Sequence, residues 1–232
     1  RQKISPKTKA MIVVSPNNPT GVLLDDSSLK AMAETACEND LLVISDEVYD
    51  EFVFEGRFRS IATFPAMSER TVIVNSFSKT YAMTGWRIGY VVGPKEIVSE
   101  AAKVSHSTGV CVSSISQYAA LAALEGSQEP TKKMLEEYRI RRKMLVDALK
   151  EISQFRLVEP QGAFFAFPNI SATRMKSMDL FKYLLEEARV VVLPGYPFFG
   201  VNGENYIRLS YSTSTSRLKE AIKRIIDAME KL

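Results

Sequence analysis

The stretch Thr71-Val72-Ile73-Val74-Asn75-Ser76-Phe77-Ser78-Lys79 decides how this chain is read. Thr71 to Val74 are β-branched, which suits a strand. The run then turns polar and reaches a lysine. Arg87 follows in Gly85-Trp86-Arg87-Ile88-Gly89. A lysine at the end of a buried strand, with Ser76 before it and Arg87 beyond, suits a Schiff base to a phosphorylated aldehyde. The amine is the nucleophile. The hydroxyl and the guanidinium can hold a phosphate dianion. A serine nucleophile with a lysine base is another use of Ser-x-x-Lys. That use calls for Ser-Asp-Asn and Lys-Thr-Gly elements, and this chain has neither.

Two more motifs sit at strand ends upstream. Met11-Ile12-Val13-Val14-Ser15 runs into Pro16-Asn17-Asn18-Pro19-Thr20-Gly21, and Leu41-Leu42-Val43-Ile44-Ser45 runs into Asp46-Glu47-Val48-Tyr49. Between them, Leu29, Met32, Ala33, Ala36 and Cys37 recur at helical spacing over residues 26–39, with Asp25 or Asp26 as the cap. The strands are continuous apolar runs, the pattern of a parallel sheet buried on both faces. Ile88 to Val92 follow Lys79 with no room for a crossover helix, so they are expected to pair antiparallel with residues 71–75. The motifs then fall at the carboxyl ends of parallel strands, where open α/β sheets bind ligands.

Gly93-Pro94 ends that last strand, and helices are expected at 95–106 and 114–125. A long helix over about 131–152 carries Leu135, Tyr138, Leu145, Leu149 and Ile152 on one side. Strands are then expected at Phe155–Glu159, Ala163–Phe167, Val190–Leu193 and Tyr206–Tyr211, with helices at 178–189 and 215–231. The order is α+β. The fold class is α/β with a mainly parallel sheet over residues 1–126, joined to a small α+β domain over residues 127–232.

The 232 residues are 46% hydrophobic and 25% charged, with a net charge of +3. That is ordinary soluble composition. The densest basic run, Arg139 to Lys143, reads as a solvated helix face without aromatic interleaving, so no nucleic-acid partner is expected. No apolar run approaches the ~20 residues that span a bilayer, so no membrane partner is expected. The patch Tyr118 to Leu124 reads as buried in protein. Cys37 and Cys111 read as reduced packing residues of a cytoplasmic protein. His106, the single histidine, reads as a packing or surface residue, and no metal site is expected.

Taken together and in order, Asn-Pro-Thr-Gly at 18–21, Asp46-x-x-Tyr49, Ser76-x-x-Lys79 and the later arginines resemble the class I aminotransferases, fold-type I enzymes that use pyridoxal 5'-phosphate (PLP). Gly162-Ala163-Phe164, Leu193-Pro194-Gly195 and Phe198-Phe199-Gly200 match the family too, so the resemblance runs from near residue 5 to the C-terminus. It implies a role for each residue. Asn18 and Tyr49 would bond the phenolate oxygen of the ring. Asp46 would pair with the pyridine nitrogen and keep it protonated. Ser76 and Arg87 would hold the phosphate. Lys79 would carry the cofactor and shuttle the proton. Arg208, with Asn18 beside the substrate, would clamp the α-carboxylate through its planar fork.

The implied activity is amino transfer between an amino acid and a 2-oxo acid, in a biosynthetic, cytoplasmic homodimer. A carbon–sulfur lyase or another eliminating enzyme of the same fold shares these residues and is the alternative reaction; a non-catalytic fragment is the other alternative. The chain opens at Arg1-Gln2-Lys3-Ile4. The resemblance implies an N-terminal portion before that point, carrying the first strands, the rest of the phosphate cup and the aromatic that stacks on the ring. On that expectation the 232 residues alone bind PLP weakly or not at all, catalyse no transamination and self-associate through exposed surfaces.

Overall fold

Four strands carry the motif-bearing ends in a computed structural model that describes residues 2–232. They are β1 (Ala10–Val14), β2 (Leu42–Asp46), β3 (Thr71–Ser76) and β4 (Gly89–Val92), side by side in that order. β1, β2 and β3 run parallel, and β4 returns antiparallel to β3 as expected. The register sets Val14 beside Asp46 and Asp46 beside Val74.

Helix α1 (Asp26–Glu38) starts where its cap places it: the Asp25 carboxylate accepts the Ser28 N–H at 2.7 Å. Its apolar stripe buries Leu29, Ala33 and Ala36 against Val13, Leu41, Val43, Ile61, Phe64 and Met67. Side chains alternate across a strand, so this core covers one face. The other face carries Ile12, Val74 and Val91, exposed at 70%, 37% and 42%. Burial on both faces is expected from the sequence; the second face is covered only in part, with Val72 buried on it beside the exposed residues. Such runs are sequences written for cover on both sides; α1 supplies it on one.

After β4, α3 (Lys95–Gly109) and α4 (Ser114–Glu125) follow, preceded in the chain by the single turn α2 (Phe77–Thr80). On α4, Ala120 packs with Phe77 and Met83, while Tyr118, Leu121 and Leu124 are exposed. Ala122 is exposed as well, so the expected burial of that patch holds only for Ala120 and, in part, for Ala119 and Ala123. Their small side chains let α4 approach the core, and the large ones point away from it. Cys37 and Cys111 are both exposed free thiols and not packing residues; Cys37 falls on the last turn of α1, outside its buried stripe.

The chain clusters into two compact units, Arg1–Pro16 with Leu23–Lys132, and Asn17–Val22 with Lys133–Leu232. In the second, α5 (Glu129–Glu151) buries Leu145, Val146 and Leu149. A short antiparallel sheet runs β5 (Phe165–Ala166), β7 (Ile207–Ser210), β6 (Leu193–Pro194). Helix α6 (Ser177–Tyr183) continues as a π turn over Leu184–Ala188, and α7 (Thr215–Met229) buries Leu218, Ile225, Ala228 and Met229.

Three expectations fail in this unit. Residues 155–159 form no strand: Phe155 N–H bonds back to Ile152, and only Arg156 bridges Asn169. The segment 190–193 is reduced to Leu193–Pro194, because Arg189 enters it in a left-handed turn (φ 55°). Arg142 is buried and not on a solvated face; its guanidinium donates to the Pro160 carbonyl and lies 3.7 Å from Glu159.

Gly21 is where this packing is tightest. Its φ is +70°, and a Cβ there would meet Pro160 Cβ at 2.3 Å and the Gly162 carbonyl oxygen at 3.0 Å. Its own carbonyl accepts the N–H groups of Gln161 and Gly162 at 2.8 and 2.9 Å. Gly21→Ala combines left-handed strain with a backbone clash, so it should cost at least ~1–3 kcal/mol. Urea denaturation checks this; an unchanged midpoint would show that the segment gives way.

Candidate active site

The ends of β2 and β3 hold the first group of residues. Asp46 closes β2, and its Oδ1 accepts the Val48 N–H at 3.2 Å. Glu47 N–H continues the pairing to the Val74 carbonyl at 3.0 Å, which fixes the exit of this loop. Tyr49 is buried, with its ring edge-on to Phe52 at 6.2 Å. Ser76 closes β3 and caps α2: its Oγ accepts the Ser78 N–H at 3.1 Å and donates to the Ile88 carbonyl at 3.3 Å. That cap starts the turn on which Lys79 sits. The Lys79 ammonium lies 6.0 Å from the centroid of the Tyr49 ring. Arg87 is exposed, in a left-handed conformation (φ 53°, ψ 48°), with Nη1 donating to the Thr84 carbonyl at 2.8 Å. Its other N–H groups remain for a ligand.

Asn18 and Arg208 belong to the second unit. Asn17 builds the loop before Gly21: its Oδ1 accepts from the Thr20 hydroxyl at 2.8 Å, and its carbonyl accepts the Gly21 N–H at 2.7 Å. Arg208 lies on β7, and its Nη1 donates to Asn18 Oδ1 at 2.8 Å. Arginine has no acceptor, so the atom of Asn18 facing it is the oxygen. The Asn18 amide then keeps Nδ2 as a donor for something else. The guanidinium also lies 4.3 Å from the Phe165 ring and 5.6 Å from Phe199, contacts that hold its plane.

The sequence reading passed over two acids in the same loop. Glu47 is buried, and its Oε1 accepts from the Ser45 hydroxyl at 2.9 Å and the Ser60 hydroxyl at 2.5 Å. Burial pushes its carboxyl above the ordinary range, against the pull of the two hydroxyls. Asp50 accepts from Asn75 Nδ2 at 2.8 Å and is likewise raised by burial. The density of acids in Asp46-Glu47-Val48-Tyr49-Asp50-Glu51 was the available signal.

The chemistry of these groups fits PLP. The chain offers an amine for an aldehyde, a hydroxyl and a guanidinium for a phosphate, a carboxylate for a ring nitrogen, and a phenol and an amide as donors to a phenolate. Among the described residues no cluster of histidine, cysteine and acidic side chains could hold a metal ion, and no helix is long and apolar enough to cross a membrane.

Comparison with known proteins agrees. The model of the family "Aminotransferase class I and II" matches residues 1–225. An aspartate aminotransferase of Pyrococcus horikoshii is 42% identical over 231 residues, covering 99% of this chain and 59% of that protein. Aromatic-amino-acid aminotransferase 2 of Thermococcus litoralis is 41% identical over 225 residues, covering 96% of this chain and 57% of its own length. The crystal structure of an aromatic aminotransferase from Pyrococcus horikoshii superposes with a TM-score of 0.95 at 41% identity, covering 99% of this chain and 62% of that one. The chain thus spans about three-fifths of the length of the relatives it matches.

Glu47 gives the loop a pH signature. Its folded carboxyl is held above the ordinary value of 4.5, so the folded chain keeps a proton that the unfolded chain releases. Stability should therefore fall as pH rises from 4.5 through the raised value. Glu47→Gln keeps an acceptor for both serines and removes the titration. Its stability should vary less across that window, as read by urea midpoints at stepped pH. Parallel curves for the two proteins would show that Glu47 does not titrate there.

Proposed function

The chain belongs to the aminotransferase class I and II family, whose enzymes use pyridoxal phosphate, and from that premise we propose that the whole protein transfers an amino group between an amino acid and a 2-oxo acid. The observation that carries the reading is the placement of Lys79: a turn capped by Ser76 holds its ammonium beside the ring of Tyr49, at the end of a parallel strand.

Bound PLP supplies an aldehyde and an electron-withdrawing ring. The rest is the work of this chain. Arg87, through its other N–H groups, would hold the phosphate, together with Ser76 Oγ once its proton turns from the Ile88 carbonyl. The Asp46 carboxylate bonds the ring nitrogen and favours its protonated form. Tyr49 Oη would donate to the phenolate oxygen, and the family resemblance gives Asn18 Nδ2 the same role. Lys79 would hold the cofactor through its Nζ, and the same amine would take and return the substrate α-proton. Arg208 would bind the α-carboxylate through its guanidinium. Aspartate and aromatic amino acids, which name the relatives, share that carboxylate and differ beyond it. Free exposed thiols at Cys37 and Cys111 fit a reducing cytoplasm. The exposed Tyr118, Leu121 and Leu124 on α4 fit a subunit contact, and we read the protein as a homodimer with a biosynthetic role.

Lys79→Ala should abolish the PLP adduct trapped by borohydride and cut turnover by orders of magnitude, with little change in thermal midpoint. A retained adduct would assign the cofactor to another lysine. Arg208→Lys loses a bidentate charged pair, worth ~2–5 kcal/mol in a desolvated site. KM should rise at least tenfold for every amino acid tried, while the PLP absorbance stays. An effect confined to one substrate would make Arg208 a side-chain selector.

A further inference from the structure

Beneath the residues assigned above runs a chain of hydrogen bonds in which Asn75 is the central link. Asn75 is 7% exposed. Its Nδ2 donates to Asp50 Oδ2 at 2.8 Å, and its Oδ1 accepts the Ser76 N–H at 2.7 Å. Ser76 Oγ then accepts the Ser78 N–H that opens α2. At the far end Asp50 is itself fixed. Its N–H donates to the Glu47 carbonyl at 3.0 Å, and its Oδ1 accepts the Glu51 N–H at 2.9 Å. The loop bearing Asp46 and Tyr49 is thereby tied to the turn bearing Ser76 and Lys79.

We propose that Asp50 and Asn75 are a positioning pair that sets Ser76, and through it Lys79, for the cofactor; the inference rests on the functional reading above. A carboxamide donates and accepts through separate atoms, so Asn75 reaches the Asp50 carboxylate with Nδ2 while Oδ1 accepts the Ser76 N–H. The two side chains border a cavity of about 80 Å³ that Tyr81, Tyr90 and Leu124 also line. In such a setting an unmade bond costs more than in water. Without Asn75 the Ser76 N–H loses its acceptor. The residue that presents the phosphate hydroxyl and caps the lysine turn is then free to rotate.

The full-length protein carries the test. Asn75→Ser removes Nδ2, the present donor to Asp50, and leaves a shorter hydroxyl in its place. Asn75→Asp sets two carboxylates against each other, and they can bond only when they share a proton. The double variant Asp50→Asn/Asn75→Asp reverses the bond: Asn at 50 donates, and the carboxylate at 75 still accepts from Ser76. The titratable groups around the pair are Glu47 and Glu51 on the loop, Tyr81 after α2 and Tyr90 on β4.

The readouts are the PLP dissociation constant by equilibrium dialysis, the borohydride-trapped adduct and the thermal midpoint. Both single variants should bind PLP about ten- to a hundredfold more weakly at pH 8. Asn75→Asp should recover toward about pH 5, relative to wild type at the same pH. The double variant should return to within about threefold of wild type at pH 8. A double variant no better than Asn75→Ser would overturn the proposal, even if Asn75→Asp alone fails to fold. So would single variants that bind PLP as wild type does. Wild-type protein with no adduct on Lys79 would overturn the functional reading and this inference with it; an adduct with unaffected variants overturns the pair alone.

Discussion

The parallel register of β1, β2 and β3 is the constraint on which the first unit depends. Val14 lies beside Asp46, and Asp46 beside Val74. Residues matched in this way share a face of the sheet, and a shift of one residue would send each side chain through to the other. Ser76 is two residues beyond Val74, so Asp46 and Ser76 share a face. That face is the one α1 leaves uncovered, with Ile12, Val74 and Val91 on it. Ser45 and Asn75 fall on the covered face, and both are buried. The register thus sorts the strand ends. Asp46 and Ser76 stand on the less covered face, and their neighbours in sequence, Ser45 and Asn75, reach into the core.

Short elements take their shape from such supports. α2 is four residues long and could not persist alone, since nucleating a helix is costly. Ser76 caps it at one end, and Phe77 anchors it to Met83 and Ala120. The second unit uses a comparable chain. Arg142 holds the Pro160 carbonyl, the backbone from 160 to 162 closes on Gly21, and the loop of Asn17 presents Asn18 to Arg208. A buried arginine here stabilises a loop that has no strand to hold it.

The strand ends were legible because local chemistry and global position agree there. β-Branched runs stop at Ser15, Asp46 and Ser76, and polar motifs start where the sheet ends. The cap at Asp25 and the antiparallel return of β4 were legible for the same reason: each follows from a few neighbouring residues. What escaped depended on partners distant in sequence. Periodicity cannot say which face of a strand finds cover, and so Ile12 and Val91 read as buried. Arg142 looked solvated inside Arg139 to Lys143, because its acceptor, Pro160, lies beyond the end of the helix. In Tyr118 to Leu124 composition hid that only one side packs: Ala120 is buried, while Ala122 and the large residues are exposed. At 155–159, β-forming side chains lost to a backbone drawn back toward Ile152.

Four acids, Asp46, Glu47, Asp50 and Glu51, crowd the end of β2 and the loop after it, and buried partners set Glu47 and Asp50 apart. Glu47 is bonded by Ser45 and Ser60, and Asp50 by Asn75; all are neutral donors. A lysine or arginine in either place would have stabilised the buried carboxylate more strongly, but its charge would also have reached Asp46. A carboxylate that is to keep a ring nitrogen protonated works through its own uncompensated negative charge. Neutral donors satisfy the two supporting acids without lending positive charge to the loop. Burial raises the carboxyls of Glu47 and Asp50 above the ordinary range, and the chain holds them with Asp46 within five residues by giving each a neutral donor of its own.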